Sequence, residues 1–134
     1  MFAFSLLKLA ALATALQLTA AINIREADDK AAASCTDWSI IPNTATIAAV
    51  CRDSNGGSHN TNIPLSDCTG NQNGVIACQH DGGAGSSCIF SNIQFSSTFL
   101  TATASCLNRA GQRVDTNNFD LNACLTNTEG TLTC

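Results

Sequence analysis

Hydrophobic and polar positions along the chain follow two patterns. The first is an apolar run, Leu9 to Leu16, preceded by the single charge Lys8 and followed by Thr19, Ala20 and Ala21. That order of charge, apolar stretch and small residues predicts a secretory signal peptide over residues 1–21. A membrane anchor or a buried helix would compete, but the run is short against the about 20 residues of a bilayer span. The second pattern is period-two alternation in Thr-rich, β-branched stretches. Thr46, Ala48 and Val50 alternate with Ile47 and Ala49 before Cys51, and Phe99 to Ser105 repeats the style with Leu100, Ala102 and Ala104 on one parity. Both read as strands, and no stretch after residue 21 carries a helical period.

Turn chemistry adds two hairpins. Leu65 to Cys68 and Val75 to Cys78 flank Asn73-Gly74, and Leu121 to Leu125 and Thr131 to Cys134 flank Glu129-Gly130. Glycine after Asn or an acid supplies the positive φ that a tight turn needs. Pro64 cannot donate to a ladder, which puts it at a strand start or edge.

Cysteine spacing shows that these elements occur twice. Cys35, Cys51, Cys68 and Cys78 are separated by 16, 17 and 10 residues, and Cys88, Cys106, Cys124 and Cys134 by 18, 18 and 10. Matched positions are offset by 53, 55, 56 and 56, and Asn62, Leu65, Asn71 and Gly74 return 56 residues later as Asn118, Leu121, Asn127 and Gly130. This is an internal duplication. The repeats span about 34–79 and 87–134, joined by the small-residue run Gln79 to Ser87, which reads as a flexible connection. Residues 22–33, with the acidic set Glu26, Asp28 and Asp29, read as a flexible lead-in and 34–134 as one domain, because repeats of about fifty residues are too small for two independent cores.

Composition narrows the chemistry. Removal of residues 1–21 leaves five basic and ten acidic residues, a balance that opposes nucleic acid and anionic lipid. An even number of cysteines in a small secreted chain reads as a disulfide framework. Zinc fails on spacing, since no C-x-x-C pair occurs and His59 and His80 stand alone, so neither metal nor cofactor is expected. The duplication favours a connectivity that repeats, and the hairpins suggest Cys35–Cys51, Cys68–Cys78, Cys88–Cys106 and Cys124–Cys134. Trp38, three residues after Cys35, reads as a core residue beside a disulfide. A hydrolytic triad from His59, Asp53 and a serine lacks a G-x-S-x-G elbow, and none of Asp67, Asp81, Asp115, Asp120 and Glu129, the carboxylates near turns, pairs in sequence as a glycoside hydrolase requires.

The runs Ser54-Asn55-Gly56-Gly57, Ile63-Pro64-Leu65-Ser66 and Asn71-Gln72-Asn73-Gly74, and their later counterparts Phe119-Asp120-Leu121-Asn122 and Asn127-Thr128-Glu129-Gly130-Thr131-Leu132, resemble the cyanovirin-N homology family over Ser34 to Cys134. The resemblance implies an all-β, pseudo-twofold molecule in which each repeat lends its last hairpin to the other half. It also implies binding of mannose-rich glycans without catalysis. Cys68, Cys78, Cys124 and Cys134 stand where the founding member has other residues, and hairpin exchange leaves open pairings across repeats, such as Cys68–Cys124 or Cys78–Cys134. The longer, Gly-richer hinge points to a monomer.

By the same resemblance each end of the molecule carries a pocket. A first pocket would use Lys30, Ser34, Arg52, Ser54, Asn127 and Glu129; there Ala33 replaces an amide and Arg52 an acid. A second would use Asn71, Asn73, Ser87, Asn108, Arg109 and Gln112, with Asn73 in place of an acid, and it is the favoured one because Arg109 matches the family's arginine. Four Phe after residue 21, one Trp and no Tyr leave little material for stacked rings, so recognition would run through hydrogen bonds. The alternative is a secreted disulfide-rich module that keeps the scaffold without sugar binding. The Asn-Gly positions also have a bland reading, as residues chosen for turn geometry alone.

Overall fold

The computed structural model describes residues 30–134, so the expected signal peptide and most of the lead-in lie outside the described residues. A helical turn, α1 (Ala31–Ser34), opens the described chain and buries Ala31 and Ala32 in the core. Three antiparallel strands follow: β1 (Cys35–Ile40), β2 (Thr46–Arg52) and β3 (Ser58–Pro64), in sheet order β1-β2-β3. A second helical turn, α2 (Leu65–Cys68), leads into the hairpin β4 (Thr69–Gln72) and β5 (Val75–Cys78). The second half repeats the order: β6 (Cys88–Phe95), β7 (Leu100–Leu107) and β8 (Arg113–Asp120), a 3-10 turn (Leu121–Ala123), then β9 (Thr126–Thr128) and β10 (Thr131–Thr133). The fold is the all-β, internally duplicated one that the sequence implies.

Period-two alternation sets the central strands. Ile47, Ala49 and Cys51 of β2 are buried, as are Leu100, Ala102, Ala104 and Cys106 of β7, while the residues between them are half-exposed. The two sheets meet along β1 and β6, and one apolar cluster runs through both halves. Trp38 belongs to it, buried with its indole N–H directed to the Cys35 carbonyl at 3.3 Å. Pro64 closes β3, an edge strand, where a missing N–H costs no ladder bond.

The hairpins are exchanged. Strand β10 packs on β3 of the first sheet, with the Leu132 N–H donating to Thr61 Oγ1 (3.1 Å), and β5 packs on β8 of the second. Each half thus completes its core with the other half's hairpin.

Several sequence expectations are corrected. Leu65 to Cys68 and Leu121 to Leu125 read as strands but form a helical turn and a 3-10 turn, and the hairpin strands start after them. One turn of helix is too short to leave a period in sequence. This shift changes the disulfides. In the β4–β5 ladder Cys78 lies opposite Thr69, and in the β9–β10 ladder Thr133 lies opposite Thr126, so neither Cys68 and Cys78 nor Cys124 and Cys134 face each other. A one-residue offset puts side chains on opposite faces. Cys35–Cys51 and Cys88–Cys106 form as expected, each joining directly opposed residues, whereas the other bonds are Cys68–Cys134 and Cys78–Cys124. These last two cross between repeats, as hairpin exchange allows, although in pairs other than Cys68–Cys124 and Cys78–Cys134. Under the 56-residue offset Cys68 maps to Cys124 and Cys134 to Cys78, so the two bonds are symmetry mates and the connectivity still repeats.

The connection Gln79 to Ser87 is tied down rather than loose. Asp81 N–H donates to the Asp67 carbonyl (2.7 Å), Gly83 N–H to the Ser66 carbonyl (2.9 Å) and Gly85 N–H to Ser66 Oγ (2.8 Å), and Ala84 is buried. Gly82 approaches the Gly70 backbone so closely that a Cβ there would lie 2.6 Å from the Gly70 Cα. Its small residues serve contact, not mobility.

Candidate functional site

Each end of the molecule is organised by a hairpin-turn asparagine. Asn71 donates through Nδ2 to Ser87 Oγ (2.8 Å) and to the Leu107 carbonyl (2.8 Å), and its Oδ1 accepts the Gly74 N–H (2.7 Å). Asn127 does the same to Ser34 Oγ (2.8 Å), the Arg52 carbonyl (2.8 Å) and the Gly130 N–H (2.9 Å). The two sets are related by the repeat. Both amides therefore pin their own turn to the opposite half, with both Nδ2 protons spent on the chain itself.

The next position reaches outward. Asn73 and Glu129 both hold positive φ, 53° and 49°, each followed by a glycine with φ 92° or 85°. Asn suits that left-handed region and Glu does not, so the Glu129 backbone is held there by its surroundings. Asn73 Oδ1 accepts the Arg109 N–H (2.8 Å), while Glu129 Oε2 accepts the N–H (3.1 Å) and hydroxyl (2.8 Å) of Ser54, the counterpart of Arg109. Gly74 and Gly130 lie against Val114 and His59, another matched pair.

Loops after the central strands complete the ends. Asn108 Oδ1 accepts the Ala110 (2.9 Å) and Gln112 (2.9 Å) N–H groups, and its Nδ2 reaches Gln112 Oε1 at 3.4 Å. Gln112 thus supports the loop. In the first half Asp53 takes this role, its Oδ1 accepting Asn55 (2.9 Å) and Gly57 (2.8 Å), and its Oδ2 lies 2.7 Å from His59 Nε2. The His59 hydrogen bond first, then the Gly57 N–H, hold the Asp53 carboxyl below the ordinary range. The sequence placed Asp53 and His59 together only as members of a discarded hydrolytic triad; the loop-capping role of Asp53 went unread, although the Asp-x-x-x-Gly spacing of a turn was visible. Ser54, the serine beside the pair, commits its hydroxyl to Glu129 instead.

At the second end Asn71, Gln72, Asn73, Leu107, Asn108 and Arg109 line an open cleft of about 500 Å³. Ser87 stands behind Asn71 and Gln112 behind Asn108. Gln72 and Leu107 are additions to the expected set; Gln72 is the exposed residue at the end of β4. At the first end Ser34, Arg52, Ser54, Asn127 and Glu129 are joined by the bonds above, and Lys30 sits beside them, bridged to Thr126 and accepting Ser34 Oγ at its carbonyl (3.4 Å). Arg52 contributes its carbonyl there.

These features define a duplicated, disulfide-linked all-β fold with exchanged hairpins and a polar, amide-rich end on each repeat. The chain belongs to the CVNH domain family, whose model matches residues 32–133. Its fold is similar to that of a designed cyanovirin-N homolog lectin, LKAMG (TM-score 0.64, 19% identity, 76% of this chain and 95% of that one). It is also similar to microvirin in a complex with mannobiose (0.62, 19% identity, 78% and 97%) and to a MoCVNH3 variant in complex with (N-GlcNAc)4 (0.54, 16% identity, 75% and 93%). No curated protein matches the sequence.

Proposed function

We propose that this protein is a secreted lectin without catalytic activity that binds mannose-containing glycans through hydrogen bonds, working as a monomer. The observation that carries the reading is the cleft of Asn71, Gln72, Asn73, Leu107, Asn108 and Arg109, where amide and guanidinium donors converge on one open, polar concavity. Family membership supports carbohydrate binding, and solved relatives hold mannobiose and an oligomer of GlcNAc. Mannose follows from the resemblance of the two ends to the family pattern. Secretion follows from the apolar segment ahead of the domain and from disulfides that join every cysteine.

The structure supports the second end as the stronger site. Arg109 makes no side-chain hydrogen bond or ion pair among the described residues, so its fork of donors is available to a ligand. At the first end Glu129 has already given one oxygen to Ser54. A glycan array with the mature, oxidised protein, Arg109→Ala and Glu129→Ala tests this. Selective binding of α-mannose-terminated glycans, lost in Arg109→Ala and kept in Glu129→Ala, is the expected result; a folded protein that binds nothing would favour the scaffold role instead.

A further inference from the structure

The two ends share their wiring but differ in what they leave over for a ligand. At the first end the outward position is Glu129, a carboxylate whose Oε2 is held by Ser54, and the exposed cations Lys30 and Arg52 stand at the same end. At the second end the matched positions are Asn73 and Asn108, both neutral, and the charge is Arg109. The orientation of the Asn73 amide is fixed, because its Oδ1 must accept the Arg109 N–H, which leaves the Nδ2 protons directed away from that bond. Asn71 Oδ1 and the Leu107 carbonyl, the acceptors nearest the turn, are already occupied. The second cleft therefore offers a surplus of donors and one uncompensated positive charge, with no carboxylate in its lining.

We propose that the second cleft selects sugars bearing an anionic substituent, a carboxylate or a phosphate, over neutral sugars. This rests on the sugar-binding reading and goes beyond it by naming the ligand's charge. A planar guanidinium donates to two anionic oxygens in a paired arrangement, and such charge-assisted bonds are stronger than those to a neutral hydroxyl. Asn73 Nδ2, anchored beside the Arg109 backbone, supplies a further donor to the same group. At the first end the matched outward position is the Glu129 carboxylate, so an anionic substituent there would meet a like charge instead of a further donor. Selection is thus a property of one end, and it arises from the departure of Asn73 from an acid.

The test is an NMR titration of the mature, oxidised protein at low salt with methyl α-mannoside, mannose 6-phosphate, methyl glucuronide and inorganic phosphate. The two sugar acids are expected to bind about tenfold tighter than the neutral mannoside, as one charge-assisted bond implies, and to shift the Asn73 and Arg109 amides rather than those of Ser54 and Glu129. Arg109→Gln, which keeps donors and removes the charge, should abolish the difference, and Asn73→Asp should reduce it. Only one of the two acids binding would identify which substituent the cleft takes and still support the proposal. Equal affinity for neutral and anionic sugars, a preference that survives Arg109→Gln, or inorganic phosphate binding as tightly as the sugar phosphate would overturn it while leaving sugar binding intact. Binding of no sugar at all would overturn both readings.

Discussion

At the residue scale the most consequential side chains are two whose work is hidden. Asn71 and Asn127 each satisfy three partners, and Asn127 is nearly buried. Replacing either by alanine strips partners from a carbonyl, a hydroxyl and a turn N–H, so Asn127→Ala should cost about 1–3 kcal/mol in denaturant unfolding. Asn73→Ala, which frees one exposed N–H, should cost less. Such saturation could not be read from sequence, where an Asn in an Asn-Gly-like turn looks the same whether it faces a ligand or the chain. Arg109 was picked out by its match to the family's arginine and not by the repeat, whose counterpart is Ser54; the structure adds that its guanidinium makes no hydrogen bond or ion pair among the described residues.

At the element scale, the loops β2–β3 and β7–β8 have one design with different chemistry at the capping position. Asp53 caps the first loop and Asn108 the second. Because the folded Asp53 carboxyl titrates below its ordinary value, its contribution is full above the unfolded pKa and is lost as pH falls through the folded one. The Asn55 and Gly57 amides should therefore move only below about pH 4, while those of Ala110 and Gln112 stay in place. Movement of both loops together, or of the first near neutral pH, would show that Asp53 does not hold the loop. Strand alternation and hairpin turns were readable at this scale. The helical turn Leu65–Cys68 and the 3-10 turn Leu121–Ala123 were not, because a single turn shows no periodicity.

At the scale of the whole molecule, the duplication was plain in the cysteine spacing, and it constrained the disulfides without selecting among patterns that all repeat. What selects Cys68–Cys134 and Cys78–Cys124 is the exchange of hairpins together with a one-residue register, both tertiary facts. These bonds close loops of 66 and 46 residues, against 16 and 18 for the local pair. Taken singly, each should stabilise by about 4 kcal/mol, compared with about 3 kcal/mol for the local ones, on the chain-entropy account. Non-reducing peptide mapping should recover the two cross-repeat pairs, and the Cys68→Ser, Cys134→Ser double variant should lose more stability than Cys35→Ser, Cys51→Ser. Recovery of Cys68 with Cys78 would show that the hairpins close on themselves. With the hairpins fastened in this way, each repeat is covalently tied to the hairpin of the other.

The central claim, that the ends of this scaffold bind sugar, is tested most directly by following the backbone amides of the oxidised protein during titration with an α-mannose oligosaccharide. Saturable shifts confined to Asn71 to Gly74 and Asn108 to Gln112, with weaker ones or none at Ser54 and Glu129, are the predicted result. A folded protein whose spectrum is unchanged at millimolar glycan would contradict the account and leave the molecule as a disulfide-pinned scaffold.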